Sequence, residues 1–145
     1  MKTWQEKSKE AMKADWKMVW QGCLVRDLTT GYWRRVITVY CPNMNDWHFL
    51  GIKAGCGQVH DKQTDVYLDL VDEGTVGCIQ RAVEGACNYY ELDLSWKKTH
   101  RPDMWTVSIV KNEMTFYSKT VKATDEAALG ILALDALTWV RGYEE

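Results

Sequence analysis

The stretch Tyr90-Glu91-Leu92-Asp93-Leu94-Ser95-Trp96 alternates apolar and polar side chains without a break, the pattern of a β-strand with one face on a core and the other in water. Its neighbours are read outward from it. Upstream, Asp72-Glu73 supplies a cap and a negative first turn, and Val76, Ile79, Val83 and Ala86 form one apolar stripe, which predicts a helix over 73–87 that stops near Asn88. Downstream, Lys97 to Asp103 reads as a polar loop. Trp105, Val107 and Ile109 then alternate with Thr106 and Ser108, Lys111-Asn112-Glu113 makes a turn, and 114–121 returns as a further antiparallel strand. Thr124-Asp125-Glu126 opens a last helix that carries Leu129, Leu132, Leu134, Ala136, Leu137 and Val140 and ends at Arg141-Gly142. Gly130 and Ala133 leave a low patch on it where another element can approach closely.

The first half is less sharply punctuated. Thr3-Trp4-Gln5-Glu6 fits a capping box, and Met12, Trp16, Val19 and Trp20 recur at helical spacing as far as Gly22, which predicts an amphipathic helix over 4–21. Residues 23–28 and 32–41 read as a hairpin about Thr29-Thr30-Gly31, residues 47–53 as a short strand, and 54–63 as an irregular connection. The expected fold is α+β: one antiparallel sheet of five to six strands flanked by an N-terminal, a middle and a C-terminal helix. A single domain over 1–145 is expected, made of the N-terminal helix (1–22), the hairpin and connecting strand (23–64) and a helix-strand-hairpin-helix unit (65–141).

Composition excludes more than it assigns. The 145 residues carry 18 basic and 20 acidic side chains, a formal charge of −2, which argues against strong nucleic-acid affinity or attraction to an anionic membrane. No apolar run approaches the length of a membrane span, and the N-terminus runs straight into charged residues, so a cytoplasmic location is expected. Five cysteines at irregular spacing point to reduced thiols. Eight Trp and seven Tyr against two Phe are many for so short a chain to bury, and both residue types serve interfaces and ligand pockets.

Three segments carry a family likeness: Thr64-Asp65-Val66-Tyr67-Leu68 leading into the capped helix, Tyr89-Tyr90-Glu91-Leu92, and Val121-Lys122-Ala123-Thr124-Asp125-Glu126-Ala127-Ala128. In these and in its order of helix, strands and helix from about Asp65 to Val140, the chain resembles the small phage-encoded proteins of the phage ABA sandwich type. The resemblance covers about half the chain and brings no shared catalytic motif. It implies a bacteriophage or prophage source, action inside a bacterial host cell, and a role in antagonising host defence, either by blocking a host protein or by sequestering a nucleotide signal.

Two basic and aromatic groups are candidate ligand sites. Trp33, Arg34, Arg35 and Tyr40, with Tyr32, lie on one predicted strand, where guanidinium can meet phosphate and an aromatic ring can stack on a base. Adjacent strand residues face opposite ways, so only one of the two arginines joins a given aromatic. Lys97, Lys98, His100 and Arg101 form the second group, beside Trp96 and Trp105. Solvated surface is the alternative for both.

Cys41, His48, Cys56 and His60 are ligand types that zinc prefers, though without paired Cys-x2-Cys spacing, and Cys56 with His60 has the chemistry of a thiol nucleophile and its base. Asp61, Asp65, Asp69, Asp72 and Glu73 cluster ahead of the middle helix, where several suit turns and caps. No residue is assigned as catalytic or metal-binding, and no cofactor is implied. The reading is a non-enzymatic binding protein for a small anionic, nucleotide-like ligand or a host defence protein, with homo-oligomerisation open to it. The alternative is a small Cys/His-dependent or metal-assisted hydrolase.

Overall fold

The computed structural model describes residues 3–14, 20, 22–27, 33–40, 48–52, 59, 60 and 66–143. They form helices α1 (Trp4–Ala14), α2 (Glu73–Tyr89) and α3 (Ala128–Arg141), and strands β1 (Leu24–Asp27), β2 (Trp33–Tyr40), β3 (His48–Ile52), β4 (Val59–His60), β5 (Val66–Leu68), β6 (Asp93–His100), β7 (Asp103–Lys111) and β8 (Met114–Lys122). The α+β class, the three helices and the antiparallel strands are as the sequence predicts. Among the described residues the strands do not form the single sheet expected. The strands divide into a five-stranded sheet, ordered β4-β3-β2-β1-β5, and a three-stranded sheet, β6-β7-β8. Backbone contacts likewise gather into two compact units, Met1–Cys78 and Ile79–Glu145.

In the first unit, the Glu6 N–H donates to Thr3 Oγ1 (3.2 Å) and starts α1, as the capping pattern requires. Trp4, Ser8 and Met12 follow at four-residue spacing and turn one face of α1 toward β5: the Trp4 and Tyr67 rings meet edge to face at 5.7 Å. The Ser8 hydroxyl donates to the Leu68 carbonyl at 2.8 Å, which satisfies two polar groups in a buried place. Trp16 and Val19, the continuation of the predicted helical stripe, lie outside the described residues. The predicted hairpin is present as β1 against β2, with Leu24 opposite Arg35 and Arg26 opposite Trp33. β5 pairs with the other edge of β1, Val25 opposite Leu68. Neither β5 nor β4 is expected from sequence, because strands of three and two residues are too short to show alternation.

The second unit follows the sequence more closely. Ile79, Val83 and Cys87 are fully buried along α2, so the stripe passes through Cys87, while Ala86 sits at its half-buried margin. β7 is central. Val107 and Ile109 are inaccessible and alternate with the more exposed Thr106 and Ser108. The inner face packs on α3, where Tyr117 stacks on Trp139 at 5.2 Å and Lys119 is ion-paired with Asp135. α3 itself is buried nearly all round, including Gly130 and Ala133, as its composition requires. The turn Asn112-Glu113 has φ 53° and 66°, the paired positive values of a tight hairpin turn whose twist matches its strands.

Two boundaries move. Lys97 to Asp103 is not a loop: β6 runs to His100 and β7 starts at Asp103, leaving only Arg101-Pro102 as the turn. Its polar run misleads because Lys97 to His100 are exposed on both faces of the sheet, so β6 is carried there by its backbone pairing with β7 and shows no apolar stripe. α3 starts at Ala128 with no side-chain cap. Asp125 instead accepts the Ala128 N–H through its backbone carbonyl, so Thr124-Asp125-Glu126 forms the preceding turn. Among the described residues no helix is long and apolar enough to cross a membrane.

Candidate functional site

The two predicted basic groups fall in different units. In the first, the Arg35 guanidinium already has partners: Nη1 and Nη2 donate to Asp72 Oδ2 (2.6 Å) and Oδ1 (3.0 Å), and Nη1 donates to the Gly22 carbonyl at 3.0 Å. Asp72 also caps α2, accepting from the Thr75 N–H (2.9 Å) and hydroxyl (3.0 Å). Thr75 Oγ1 in turn accepts the Leu24 N–H at 2.7 Å. Partial burial pushes the Asp72 carboxyl up, but the Arg35 fork and the two Thr75 bonds outweigh it and leave the pKa below the usual carboxylate value. Gly74 is what lets the fork sit over the helix start, since a Cβ there would lie 3.1 Å from Arg35 Nη1 and 3.2 Å from Asp72 Oδ2.

Arg35 is thus held in a polar cluster that ties β1 and β2 to the start of α2. Beside it, Arg26 Nε donates to Asp69 Oδ2 at 2.6 Å, so two of the three described carboxylates of the acidic cluster, Asp69 and Asp72, are ion-paired with arginine. Trp33 is partly exposed and has a partner of its own. The side chains of Arg34 and Tyr40 lie outside the described residues, although their backbones pair with Val25 and His48. The β3–β4 register sets His48 opposite His60, while Cys41 and Cys56, the other half of the candidate zinc or thiol set, lie outside the described residues, as do Asp61 and Asp65. Among the described residues no three His, Cys, Asp or Glu side chains gather as a metal site would need.

The second group is brought together by the β6–β7 register. Lys98 lies opposite Trp105, Lys97 opposite Thr106, and His100 opposite Asp103. Lys98 Nζ stands 5.8 Å from the Trp105 ring centroid, within reach of the indole face, and 3.9 Å from Asp103 Oδ1. Trp96, two residues back, shares that inner face but lies opposite Val107. Lys97 points to the outer face, into a row completed by Thr106 and Thr120, whose hydroxyls are 2.9 Å apart. Lys122 lies opposite Met104 on β8 and adds a further cation to that outer face. Lys97, Arg101 and Lys122 are exposed and make no ion pair among the described residues.

No family model, curated protein or solved structure matches this chain. The resemblance to phage ABA sandwich proteins stays an expectation from the sequence pattern.

Sequence reading missed two features of the second unit. Lys122 would have been placed by counting the register outward from the Asn112-Glu113 turn, a step that needs the bulge at Phe116, between the Ile109–Tyr117 and Val110–Thr115 pairs. The other is a run of rings at the opposite end of the sheet, Tyr89, Tyr90, Tyr143, Phe116 and Trp139, each within 6.1 Å of another. These residues are scattered over more than fifty positions, and only tertiary structure gathers them.

Proposed function

We propose that this protein is a non-enzymatic binding protein that captures a small anionic, nucleotide-like ligand at the β6–β7 end of its three-stranded sheet. One observation carries the reading: an ammonium, Lys98, is seated on an indole, Trp105, beside the exposed Arg101 of the adjoining turn. An aromatic face offers stacking to a base of any identity, and the surrounding ammonium and guanidinium groups offer charge-assisted hydrogen bonds to phosphate. Capture needs no bond to be made or broken. With the likeness to phage proteins, the reading becomes a phage-encoded factor that works in the bacterial cell by withdrawing a nucleotide signal from host defence.

The test is isothermal titration with a panel of linear and cyclic nucleotides. Trp105→Ala and Lys98→Ala should each weaken binding by about tenfold to a hundredfold, the range of one stacking contact or one charged hydrogen bond. Binding should also fall with added salt. A panel in which nothing binds, or binding unchanged by either variant, refutes the proposal.

A further inference from the structure

The two ends of the three-stranded sheet carry opposite chemistry. At the β7–β8 end, Tyr90 is packed edge to face against both Tyr89 (5.0 Å, 87°) and Tyr143 (5.1 Å, 79°), and Tyr143 continues the cluster to Phe116 and Trp139. Tyr89 is 80% exposed, Met114 65% and Phe116 39%, so much of this aromatic and thioether surface lies in water rather than in the core. Around it stand three carboxylates, Glu91, Asp93 and Glu113, all exposed and without an ion pair among the described residues. They share this end because Asp93 pairs with Val110, next to the Asn112-Glu113 turn, and because Lys111 Nζ donates to the Tyr90 carbonyl at 3.4 Å.

Exposed ring faces bordered by carboxylates attract ammonium and guanidinium groups, through the ring quadrupole and through charge together. The chain carries a matching set at the other end of the same sheet, the exposed cations Lys97, Arg101 and Lys122. β7 spans nine residues between the two ends, roughly 27 Å at the rise of an extended strand, and the ends point away from each other, so one unit cannot satisfy itself.

The geometry points to head-to-tail self-association, in which the Lys97–Arg101–Lys122 end of one copy docks on the Tyr89–Glu113 end of the next. Three cations meet three carboxylates, and the tyrosines and Met114 supply the apolar contact that exposed ion pairs alone lack. Such a contact joins unlike surfaces, so it propagates into chains rather than closing as a twofold dimer. An anion bound at Lys98 and Trp105 would compete for the same cationic end, but the association itself needs no ligand.

Sedimentation velocity of the full chain without nucleotide tests this with two variants. One blocks the aromatic end, Tyr89→Ala with Glu113→Lys; the other blocks the cationic end, Lys97→Glu with Arg101→Glu. All four side chains are exposed, so thermal melts of both variants should match the wild type. The wild type should grow beyond dimer with concentration and revert to monomer at high salt. Each variant alone should stay monomeric to at least tenfold higher concentration, and an equimolar mixture of the two should form dimers and nothing larger, since each retains one competent end. A wild type that is monomeric throughout, a blocked variant that still associates, or a mixture that stays monomeric overturns the inference. So does saturable binding of an oligolysine peptide at Tyr89 without self-association, which would assign that end to a foreign basic partner.

Discussion

Asp72 can be removed with a worked expectation. Asp72→Ala deletes the α2 cap, a loss of about 1 kcal/mol, and also the two charge-assisted bonds from Arg35. Hydrogen bonds to charged groups contribute about 1.5 to 3 kcal/mol. Here the Arg35 side chain is 42% exposed and Asp72 17%, so water re-solvates part of the freed guanidinium and about 1 to 2 kcal/mol is the reasonable share. The expected total is about 2 to 3 kcal/mol. Arg35→Ala keeps the cap and should cost about 1 to 2 kcal/mol, and the double variant should fall short of the sum by about 1 kcal/mol, the coupling of the pair. Urea unfolding followed by tryptophan fluorescence measures all three.

The same pair fixes a pH dependence. The Asp72 carboxyl titrates lower in the folded chain than in the unfolded one, so its contribution is complete above the unfolded value, about pH 4, and is lost as pH falls through the folded value. The stability gap between wild type and Asp72→Asn should therefore narrow from pH 5 downward. A gap that stays constant to pH 2.5, or an Arg35→Ala variant as stable as the wild type, would refute the account of Arg35 as a structural group. Loss of ligand binding in Arg35→Ala would otherwise be easy to misread, because destabilisation alone could produce it.

Two further outcomes follow from burial. Ile109→Ala, at an inaccessible position on the central strand of the second unit, should cost about 2 to 5 kcal/mol in urea unfolding, whereas Thr106→Val on the outer face should stay within about 1 kcal/mol. Cys23, Cys78 and Cys87 are buried thiols in no disulfide, and the Cys23 thiol is pushed far above its ordinary pKa, first by its hydrogen bond with Cys78 and then by burial. Site-resolved alkylation should find these three protected in the native chain and labelled after denaturation; rapid native labelling of Cys23 would contradict the packing.

Legibility in the sequence tracked the length of each element. α2 and the β7–β8 hairpin were readable because their stripes and alternations run long enough to exceed coincidence, and because Asp72 and Asn112-Glu113 mark their ends with residue types of known backbone preference. β4 and β5 gave no such run. The division into two sheets was invisible because alternation tells that a strand pairs, not with which partner. The basic group at Lys97, Lys98 and Arg101 was found as a group, and its geometry came only with the register that set Lys98 on Trp105. Arg35 shows the limit from the other side: the same residue type in the same kind of strand, but its partner Asp72 stands 37 positions away, and no local pattern announces that pairing.

Glu91 and Glu113 both occupy left-handed backbone, at φ 58° and 66°, a conformation that costs a side-chain-bearing residue about 1 kcal/mol and glycine nothing. Two of the three carboxylates at the aromatic end thus sit where glycine would make the fold firmer. Glu113→Gly should raise stability while stripping charge from that end, so a screen that rewards only thermal resistance would steadily erase the surface proposed for self-association. Tolerance of heat and the capacity to assemble are set in opposition at a single turn, and variants there can be sorted by which of the two they gain.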